Sequence, residues 1–238
     1  MKKLLEGAKK LGLELTPGHL EKFEVYYREL ADWNRKINLT SVTVYEEVQI
    51  THFLDSLTVI AGFPSPQDKP LSIIDVGTGA GFPGIPLRIA RSDIQLVLLE
   101  ATAKKVEFLR HVTLKLELDG VEIVRGRAED IAHDDRYREK FRVVVSRALA
   151  PLNVLVELML PFCAAGGRLI AQKKGEIIGE INDASRAVNV LGGEIGEVRD
   201  ITLDEFDDDR CLIIIDKVKT SPPQYPRRPG IPVKKPII

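Results

Sequence analysis

Apolar residues recur along this chain with two different spacings, which divide it into two regions. In residues 1–62 the apolar stripes have helical spacing and cover 4–11, 20–37 and 44–60. Thr16 and Pro17 precede the second stripe in the order of an N-cap and a first helical residue. The pattern predicts an N-terminal extension made of helices.

From residue 71 onward, short apolar runs typical of buried strands are separated by longer amphipathic stretches. The runs cover 73–76, 95–100, 121–125, 141–146, 168–172, 194–203 and 211–218. Strands that alternate with helices pair in parallel, but the last two runs are separated only by a short acidic turn, 204–210, so they should be antiparallel. The sequence therefore predicts an α/β fold whose seven-stranded sheet is mostly parallel and ends in an antiparallel hairpin.

Prolines set the boundaries of this predicted domain. Three prolines within residues 63–70 exclude a helix or a central strand and predict a linker between the extension, 1–62, and the main domain, 71–219. The tail, residues 220–238, holds four basic and no acidic residues, and its prolines predict that it is not helical.

Composition narrows the class of protein. The chain has 238 residues, of which 44% are hydrophobic and 29% charged, which fits a globular protein and excludes a mainly disordered one. A net charge of -1 gives no overall attraction to nucleic acid, so a polyanionic partner would need a local basic patch.

The two cysteines and the N-terminal sequence indicate the cellular compartment in which the protein is expected. Cys163, expected at the end of a helix over 151–162, and Cys211, within a late strand, both lie in apolar segments. Two buried thiols in a reducing compartment are expected rather than a disulfide or a metal site. Neither a signal-peptide core nor an 18-residue apolar run is present, so we expect a cytoplasmic protein without membrane attachment.

A glycine-rich loop directly after the first strand is the strongest candidate for ligand binding. Its spacing, Gly79-x-Gly81-x-x-Gly84, matches the dinucleotide fingerprint, whereas Asp75-x-Gly77-x-Gly79-x-Gly81 matches enzymes that use S-adenosylmethionine. Glycines allow backbone N–H groups to approach a ligand that a Cβ atom would keep away. The spacing alone does not distinguish a dinucleotide from S-adenosylmethionine.

Acidic residues near the ends of the strands favour S-adenosylmethionine. Glu100 ends the second strand about twenty residues past the loop, where a carboxylate can accept both hydroxyls of an adenosine ribose in either cofactor. Asp75 suits a cationic ligand better than a pyrophosphate, and a terminal hairpin is typical of class I methyltransferases. Glu129 follows the third strand, where it could hold the adenine or simply lie at a helix N-terminus.

Further motifs extend the pattern to the whole chain. They are Gly77-Thr-Gly-Ala-Gly-Phe-Pro-Gly84, Asn34-x-x-x-Asn38-Leu-Thr40, His52-Phe-Leu-Asp-Ser56, Arg127-Ala-Glu129, Ser146-Arg147-Ala148 and Arg228-Pro-Gly-Ile-Pro-Val-Lys-Lys-Pro236. In this order they resemble the bacterial small-subunit ribosomal RNA guanine-N7 methyltransferases, also called glucose-inhibited division protein B. The resemblance implies a class I fold, S-adenosylmethionine as cofactor, and methylation of one guanine in 16S rRNA.

The motifs and the resemblance together predict the site residues. The expected cofactor residues are Asp75, Gly77, Thr78, Gly79, Phe82, Glu100, Ala101, Thr102, Ala128, Glu129 and Arg147. Arg147 is also the expected catalytic residue, through positioning and electrostatics; its target could be the cofactor, the guanine or a phosphate, and the alternative is an ion pair with Glu129 or another acid. The expected RNA-binding residues are Lys104, Lys105, Arg227, Arg228, Lys234 and Lys235.

The chemistry of the residues agrees with a guanine N7 target. Amine methylation commonly uses a Pro-Pro-aromatic turn after strand four, but this chain has Ser146-Arg147-Ala148-Leu149 there. Methylation of a pyrimidine carbon needs a cysteine nucleophile, and neither cysteine is expected near the loop. A ribose hydroxyl needs a base, usually a lysine assisted by an aspartate at the position of Ser146. Guanine N7 already carries a free lone pair.

Several interpretations remain open at this point. An NAD-dependent oxidoreductase, a non-catalytic interaction protein and a methyltransferase acting on another nucleic acid or protein are the alternatives. His52 and Asp55 could contact RNA or form hydrogen bonds between helices, and Asn34 more often closes a helix than binds a ligand. We expect a monomer that acts on 16S rRNA or a small-subunit assembly particle. Its tail should contact RNA and not the cofactor, because the two lie far apart in the sequence.

Overall fold

The computed structural model describes residues 1–65, 70–147 and 150–238. The strands in these ranges are β1 (Leu71–Val76), β2 (Ile94–Glu100), β3 (Val121–Arg125), β4 (Phe141–Arg147), β5 (Cys163–Lys174), β6 (Gly193–Ile201) and β7 (Arg210–Lys217). The α-helices are α1 (Lys2–Lys10), α2 (Pro17–Asn34), α3 (Tyr45–Val48), α4 (Asp55–Leu57), α5 (Gly84–Ala90), α6 (Ala103–Lys115), α7 (Ala128–Ile131), α8 (Leu152–Met159), α9 (Ile178–Val190) and α10 (Ile231–Lys234). The proline-rich linker of 63–70 lies partly outside the described residues.

The strands form a seven-stranded sheet in the order β3-β2-β1-β4-β5-β7-β6. All pairings among the strands β1, β2, β3, β4 and β5 are parallel, whereas β7 pairs antiparallel with both β5 and β6. The predicted mostly parallel sheet with a closing antiparallel hairpin is confirmed.

Both faces of the sheet are buried, which explains the continuous apolar runs of the central strands. Successive strand residues point to opposite faces. Ile73 of β1 therefore lies in the core layer that contains Phe23 and Tyr26 of α2. Ile74 lies in the opposite layer with Leu155 of α8. The N-terminal helices thus pack on the sheet and share a core with it.

The two ends of α2 follow their predicted chemistry. The Thr16 hydroxyl accepts from the backbone N–H of His19 at 3.2 Å, and the Thr16 N–H donates to His19 Nδ1 at 3.3 Å. At the other end, Asn34 Oδ1 accepts from the N–H groups of Leu39 and Thr40 at 2.8 and 3.0 Å. The prediction that Asn34 closes the helix is confirmed.

The third predicted helix, 44–60, is not a regular α-helix. Its α-helical turns flank a π-helix over Gln49–Leu54, and a 3₁₀ segment over Thr58–Gly62 follows. The π-helix lies beside β4, and the carbonyl of Thr51 accepts a hydrogen bond from Arg147 at 2.9 Å. Apolar spacing does not reveal such an insertion, because the buried side chains on either side still follow a helical stripe.

Two other elements differ from their predictions. β5 begins at Cys163, so this cysteine starts a strand instead of ending a helix. The tail contains the short helix α10, although prolines were expected to exclude one. Gly230 precedes α10 with a left-handed φ of 81°, and Pro232 lies in the first turn, where a missing N–H costs no hydrogen bond.

None of the helices in the parts of the chain that the structure describes is both long and apolar enough to cross a membrane.

Candidate functional site

The sheet order creates a crevice at the boundary between β1 and β4. The chain proceeds from β1 to β2 on one side of this boundary and from β4 to β5 on the other. Ligands of open α/β sheets bind outside the carboxyl ends of the strands at such a switch point. The glycine loop, 77–84, follows β1, and Arg147 ends β4, so both lie at this edge.

The glycine loop is shaped by backbone conformation and by contact with α2. Gly77 and Gly81 have φ angles of 69° and 98°, which side chains of L-residues rarely adopt. A Cβ atom on Gly81 would come within 2.7 Å of the Tyr26 hydroxyl oxygen. That hydroxyl donates a hydrogen bond to the carbonyl of Ala80 at 2.5 Å. The N-terminal extension therefore fixes the loop directly.

Asp75 lies fully buried beneath the loop. Its Oδ2 accepts from the hydroxyl of Thr78 at 2.6 Å and from the N–H of Gly84 at 2.8 Å. Its Oδ1 has no hydrogen-bond partner among the described residues. Burial raises the pKa of Asp75 to about 6, against the opposing effect of these two hydrogen bonds. One carboxylate oxygen thus ties the two ends of the loop together, and the other is buried without a hydrogen-bond partner among the described residues.

Glu100 connects the end of β2 to the loop. Its Oε2 accepts from the N–H of Gly79 at 3.0 Å, and its Oε1 accepts from the N–H of Thr102 at 2.7 Å. Each carboxylate oxygen can accept more than one hydrogen bond, so both retain capacity for a ligand. The two N–H groups fix the orientation in which a pair of adjacent hydroxyls would meet this carboxylate.

A cavity of about 370 Å³ opens beside Glu100. The residues that line it are Val76, Gly77, Leu99, Glu100, Ala101, Lys105, Gly126, Arg127, Ala128, Glu129, Ala150, Leu158 and Val233. Five of the predicted cofactor residues are in this set. Apolar side chains with a few charged groups are typical of a site for a small organic ligand, and the volume lies within the range of such sites.

Arg147 forms its ion pair with an acid of the N-terminal extension. Its guanidinium donates to Asp55 Oδ2 at 3.0 Å and to the Thr51 carbonyl at 2.9 Å. It also lies 4.9 Å from the centre of the Phe82 ring, a cation–π distance. The acid partner is therefore Asp55 and not Glu129. Arg147 and Phe82 together lie at the edge of the crevice.

His52 is a neutral hydrogen-bonded residue in this cluster. Burial, reinforced by the charge of Arg147, lowers the pKa of His52 to about 4. Its Nδ1 lies 3.4 Å from Arg147, which can only donate, so this nitrogen accepts. The Nε2–H then donates to the Thr40 hydroxyl at 2.7 Å. The hydrogen bonds of His52 run to Thr40 in a loop and to Arg147 in β4, and not between two helices as expected, and neither ring nitrogen keeps a free lone pair.

The sequence gives no indication that Asp55 also forms an ion pair with a second arginine. Arg210, at the start of β7, donates to Asp55 Oδ1 at 2.7 Å, so both carboxylate oxygens bind an arginine. All three charged side chains are largely buried. Nothing in the acidic turn before β7 distinguishes Arg210 from a solvated residue, and only the fold brings it to Asp55.

The tail does not lie apart from the predicted cofactor residues. The N–H of Gly230 donates to Glu129 Oε1 at 3.3 Å, and Val233 lines the cavity. The tail therefore lies beside residues that are predicted to bind the cofactor, because distance along the sequence is not distance in space. Arg227 donates to both oxygens of the buried Glu157, at 2.9 and 2.6 Å.

The other basic candidates remain at the surface. Arg228, Lys234, Lys235 and Lys104 are exposed, and Lys105 is half-buried at the cavity. Lys104 and Lys105 also line a smaller cavity with Lys36, between the N-terminal extension and α6. The basic side chains thus surround the crevice from two sides.

Comparison with solved structures identifies the fold. A protein from Agrobacterium tumefaciens described as a predicted O-methyltransferase superposes with a TM-score of 0.53 and 20% identity, covering 68% of this chain and 81% of that one. TrmN from Thermus thermophilus gives a TM-score of 0.50 at 13% identity, covering 69% and 48% of the two chains. With the strand order, the closing hairpin and the crevice, they define a class I methyltransferase fold.

The family follows from the sequence comparisons. The family model described as rRNA small subunit methyltransferase G (GidB) matches residues 19–204. Proteins named ribosomal RNA small subunit methyltransferase G are 49% identical in Dehalococcoides mccartyi strain CBDB1, over 100% of both chains, and 43% identical in Alkaliphilus metalliredigens, over 98% of this chain and 97% of the other. The chain belongs to the rRNA small subunit methyltransferase G family and is a methyltransferase. The resemblance seen in the motifs is confirmed, and the alternatives of an oxidoreductase and a non-catalytic protein are excluded.

Proposed function

We propose that this methyltransferase transfers the methyl group of S-adenosylmethionine to N7 of one guanine in 16S rRNA. It acts in the cytoplasm as a monomer, on the RNA or on a small-subunit assembly particle. The observation that carries the proposal is the crevice itself. It combines a cavity suited to an adenosyl ligand with an edge at which the histidine, His52, has both ring nitrogens in hydrogen bonds.

The residues present fit the adenosyl ligand. Glu100 holds two oxygens in fixed orientation for the two ribose hydroxyls. A Cβ atom on Gly79 would meet nothing closer than 4.0 Å, so the loop is open on the side where a ligand would lie. The unpartnered Oδ1 of Asp75 matches the positive charge of the amino-acid end. Ala101, Ala128 and Glu129 would enclose the adenine.

On the RNA side, Arg147 would act as a positioning and electrostatic group. Its guanidinium is fixed by Asp55 and by the Thr51 carbonyl, and it lies over Phe82 at the crevice edge. A preorganised cation of this kind can orient a phosphate or the Hoogsteen edge of a guanine by paired hydrogen bonds. The exposed Lys104, together with the exposed Arg228, Lys234 and Lys235 of the tail, would neutralise phosphates farther along the strand.

The chemistry needs no general base. Bound S-adenosylmethionine supplies an electrophilic methyl group, and guanine N7 presents a lone pair that carries no proton. Neither His52 nor Cys163 is suited to take a proton from the target. Both ring nitrogens of His52 are in hydrogen bonds. Burial raises the pKa of Cys163 to about 12, which keeps it a thiol. The protein therefore contributes alignment and electrostatic stabilisation.

This mechanism predicts a flat pH profile. Single-turnover methylation, with cofactor and RNA saturating, should change little between about pH 6.5 and 8.5, because no group has to lose a proton for attack. With its pKa near 4, His52 stays neutral throughout this window. Below the window, protonation of Asp75, with its pKa near 6, should weaken binding of the cationic cofactor, so saturation must be checked at each pH. A saturated rate that rises tenfold per pH unit would contradict direct attack by N7.

The four histidines provide the matched variants for this experiment. Replacing His19, His52, His111 or His133 should not abolish the chemical step while both binding steps are retained. Loss of the step in one variant with normal binding would identify a general base and remove the support for N7.

A further inference from the structure

The C-terminal tail follows a fixed path across the sheet domain. The guanidinium of Arg138 donates to the carbonyls of Ser221, Pro222 and Tyr225 at 3.1, 3.1 and 2.9 Å. His133 Nε2 lies 2.8 Å from the carbonyl of Pro226. Side chains near α7 thus bind the tail through its backbone, which a mobile RNA-binding arm would not require.

Arg227 provides the next attachment. Its guanidinium and its backbone N–H all donate to Glu157 of α8, which is completely buried. Its Nη2 also donates to the carbonyl of Lys235 at 2.7 Å. Charge-assisted paired hydrogen bonds of this kind are among the stronger contacts in proteins. Arg227 therefore links α8 to Lys235, the residue that directly follows α10.

The contacts of Arg138, His133 and Arg227 hold the turn that contains α10 against the cavity beside Glu100. The N–H of Gly230 donates to Glu129 Oε1, and Glu129 Oε2 has no hydrogen bond from the described residues. Val233 of α10 lines the cavity together with Ala128 and Leu158, yet 66% of Val233 is exposed. An apolar side chain exposed at the mouth of a cavity gains burial when an apolar ligand fills that cavity.

We propose that the tail forms one wall of the cofactor site and that Val233 contacts the adenine end of the bound cofactor. This inference rests on the proposed function, since it takes the cavity as the adenosyl site. The contacts of Arg227 and Gly230 position the wall, and Val233 provides its apolar surface. The same segment carries Lys234 and Lys235 on its exposed side, so one short turn lies between the cofactor and the surface expected to bind RNA.

The test is calorimetric titration of the full-length protein with S-adenosylhomocysteine and, separately, with adenosine. Val233→Ser should weaken both ligands by about fivefold, because it removes apolar contact at the adenine end. Val233→Ile should retain the wild-type affinity. Val218→Ser is the matched control, since Val218 is also exposed but lies outside the cavity lining, and it should have no effect.

A second variant removes residues 229–238 and with them the whole wall. It should lose at least about tenfold in affinity for both ligands, while keeping its fold. Unchanged affinity of the truncated protein, or an equal loss in Val218→Ser and Val233→Ser, would overturn the proposal. In that case Glu100→Ala should still lose binding, and the proposed function would stand. Failure of the wild-type protein to bind either ligand would instead overturn the proposed function, and the wall with it.

Discussion

Glu100→Ala is expected to weaken binding of S-adenosylmethionine by about 1.5–3 kcal/mol, which is roughly 10- to 150-fold in the dissociation constant. The carboxylate would lose its hydrogen bonds to the ribose hydroxyls. The N–H groups of Gly79 and Thr102 would also lose their acceptor, so the loop would be held less firmly. Both effects act on the ligand site, and the fold should remain intact.

Isothermal titration of the wild type and the variant checks this result. Glu194→Ala is a suitable control, because Glu194 is exposed on β6 at the far edge of the sheet. It should bind the cofactor like the wild type. NADH should bind to none of these proteins. Equal affinity for S-adenosylmethionine with and without the Glu100 carboxylate would remove this residue from the site.

Asp55→Ala should lower the free energy of unfolding by about 3–5 kcal/mol, the usual cost of removing one partner of a buried ion pair. The substitution leaves Arg147 in a largely buried environment without its counter-charge, and it removes the buried one of the two carboxylates that pair with Arg210, the other being Asp208. It also removes the group that fixes Arg147 at the crevice, so methylation should fall at temperatures at which the variant is folded.

Urea-induced unfolding measures this loss of stability. The matched control is Asp93→Ala, which breaks an ion pair with Arg91 at the surface, where Asp93 is 50% exposed. Exposed pairs of this kind contribute about 0–1 kcal/mol. If Asp55→Ala and Asp93→Ala lowered the free energy of unfolding by the same small amount, Asp55 would not be the buried link between the extension and the sheet that its contacts indicate.

Local patterns were sufficient to predict the sheet and the relative positions of the glycine loop, Asp75 and Glu100. Each apolar run is long enough to identify a strand. Only the connection between β6 and β7 is too short for a crossover helix, and this identifies the pair as an antiparallel hairpin. Asp75, the glycines and Glu100 lie within one stretch of about 25 residues that forms a strand, a loop, a helix and a strand. Their relative positions depend on that unit alone, so the sequence order specifies them.

The other side of the crevice depends on contacts between distant parts of the chain. Asp55 is separated by 92 residues from Arg147 and by 155 from Arg210, and Glu129 by 101 from Gly230. Spacing in the sequence gives no information about such pairs. The role of Arg227 could not be predicted either, because its partner Glu157 lies on an apolar helix whose single acid looks like a solvated residue.

Identification of the atom that receives the methyl group tests whether this protein methylates guanine N7. The purified protein is incubated with isotopically labelled S-adenosylmethionine and small-subunit RNA or particles, and the labelled nucleoside is isolated and its position mapped. We expect N7-methylguanosine at a single position of 16S rRNA, formed by the wild type and strongly reduced in Glu100→Ala. Label on an exocyclic amine, a base carbon, a ribose hydroxyl or a protein, or no transfer to any of these substrates by a protein that binds the cofactor, would contradict it.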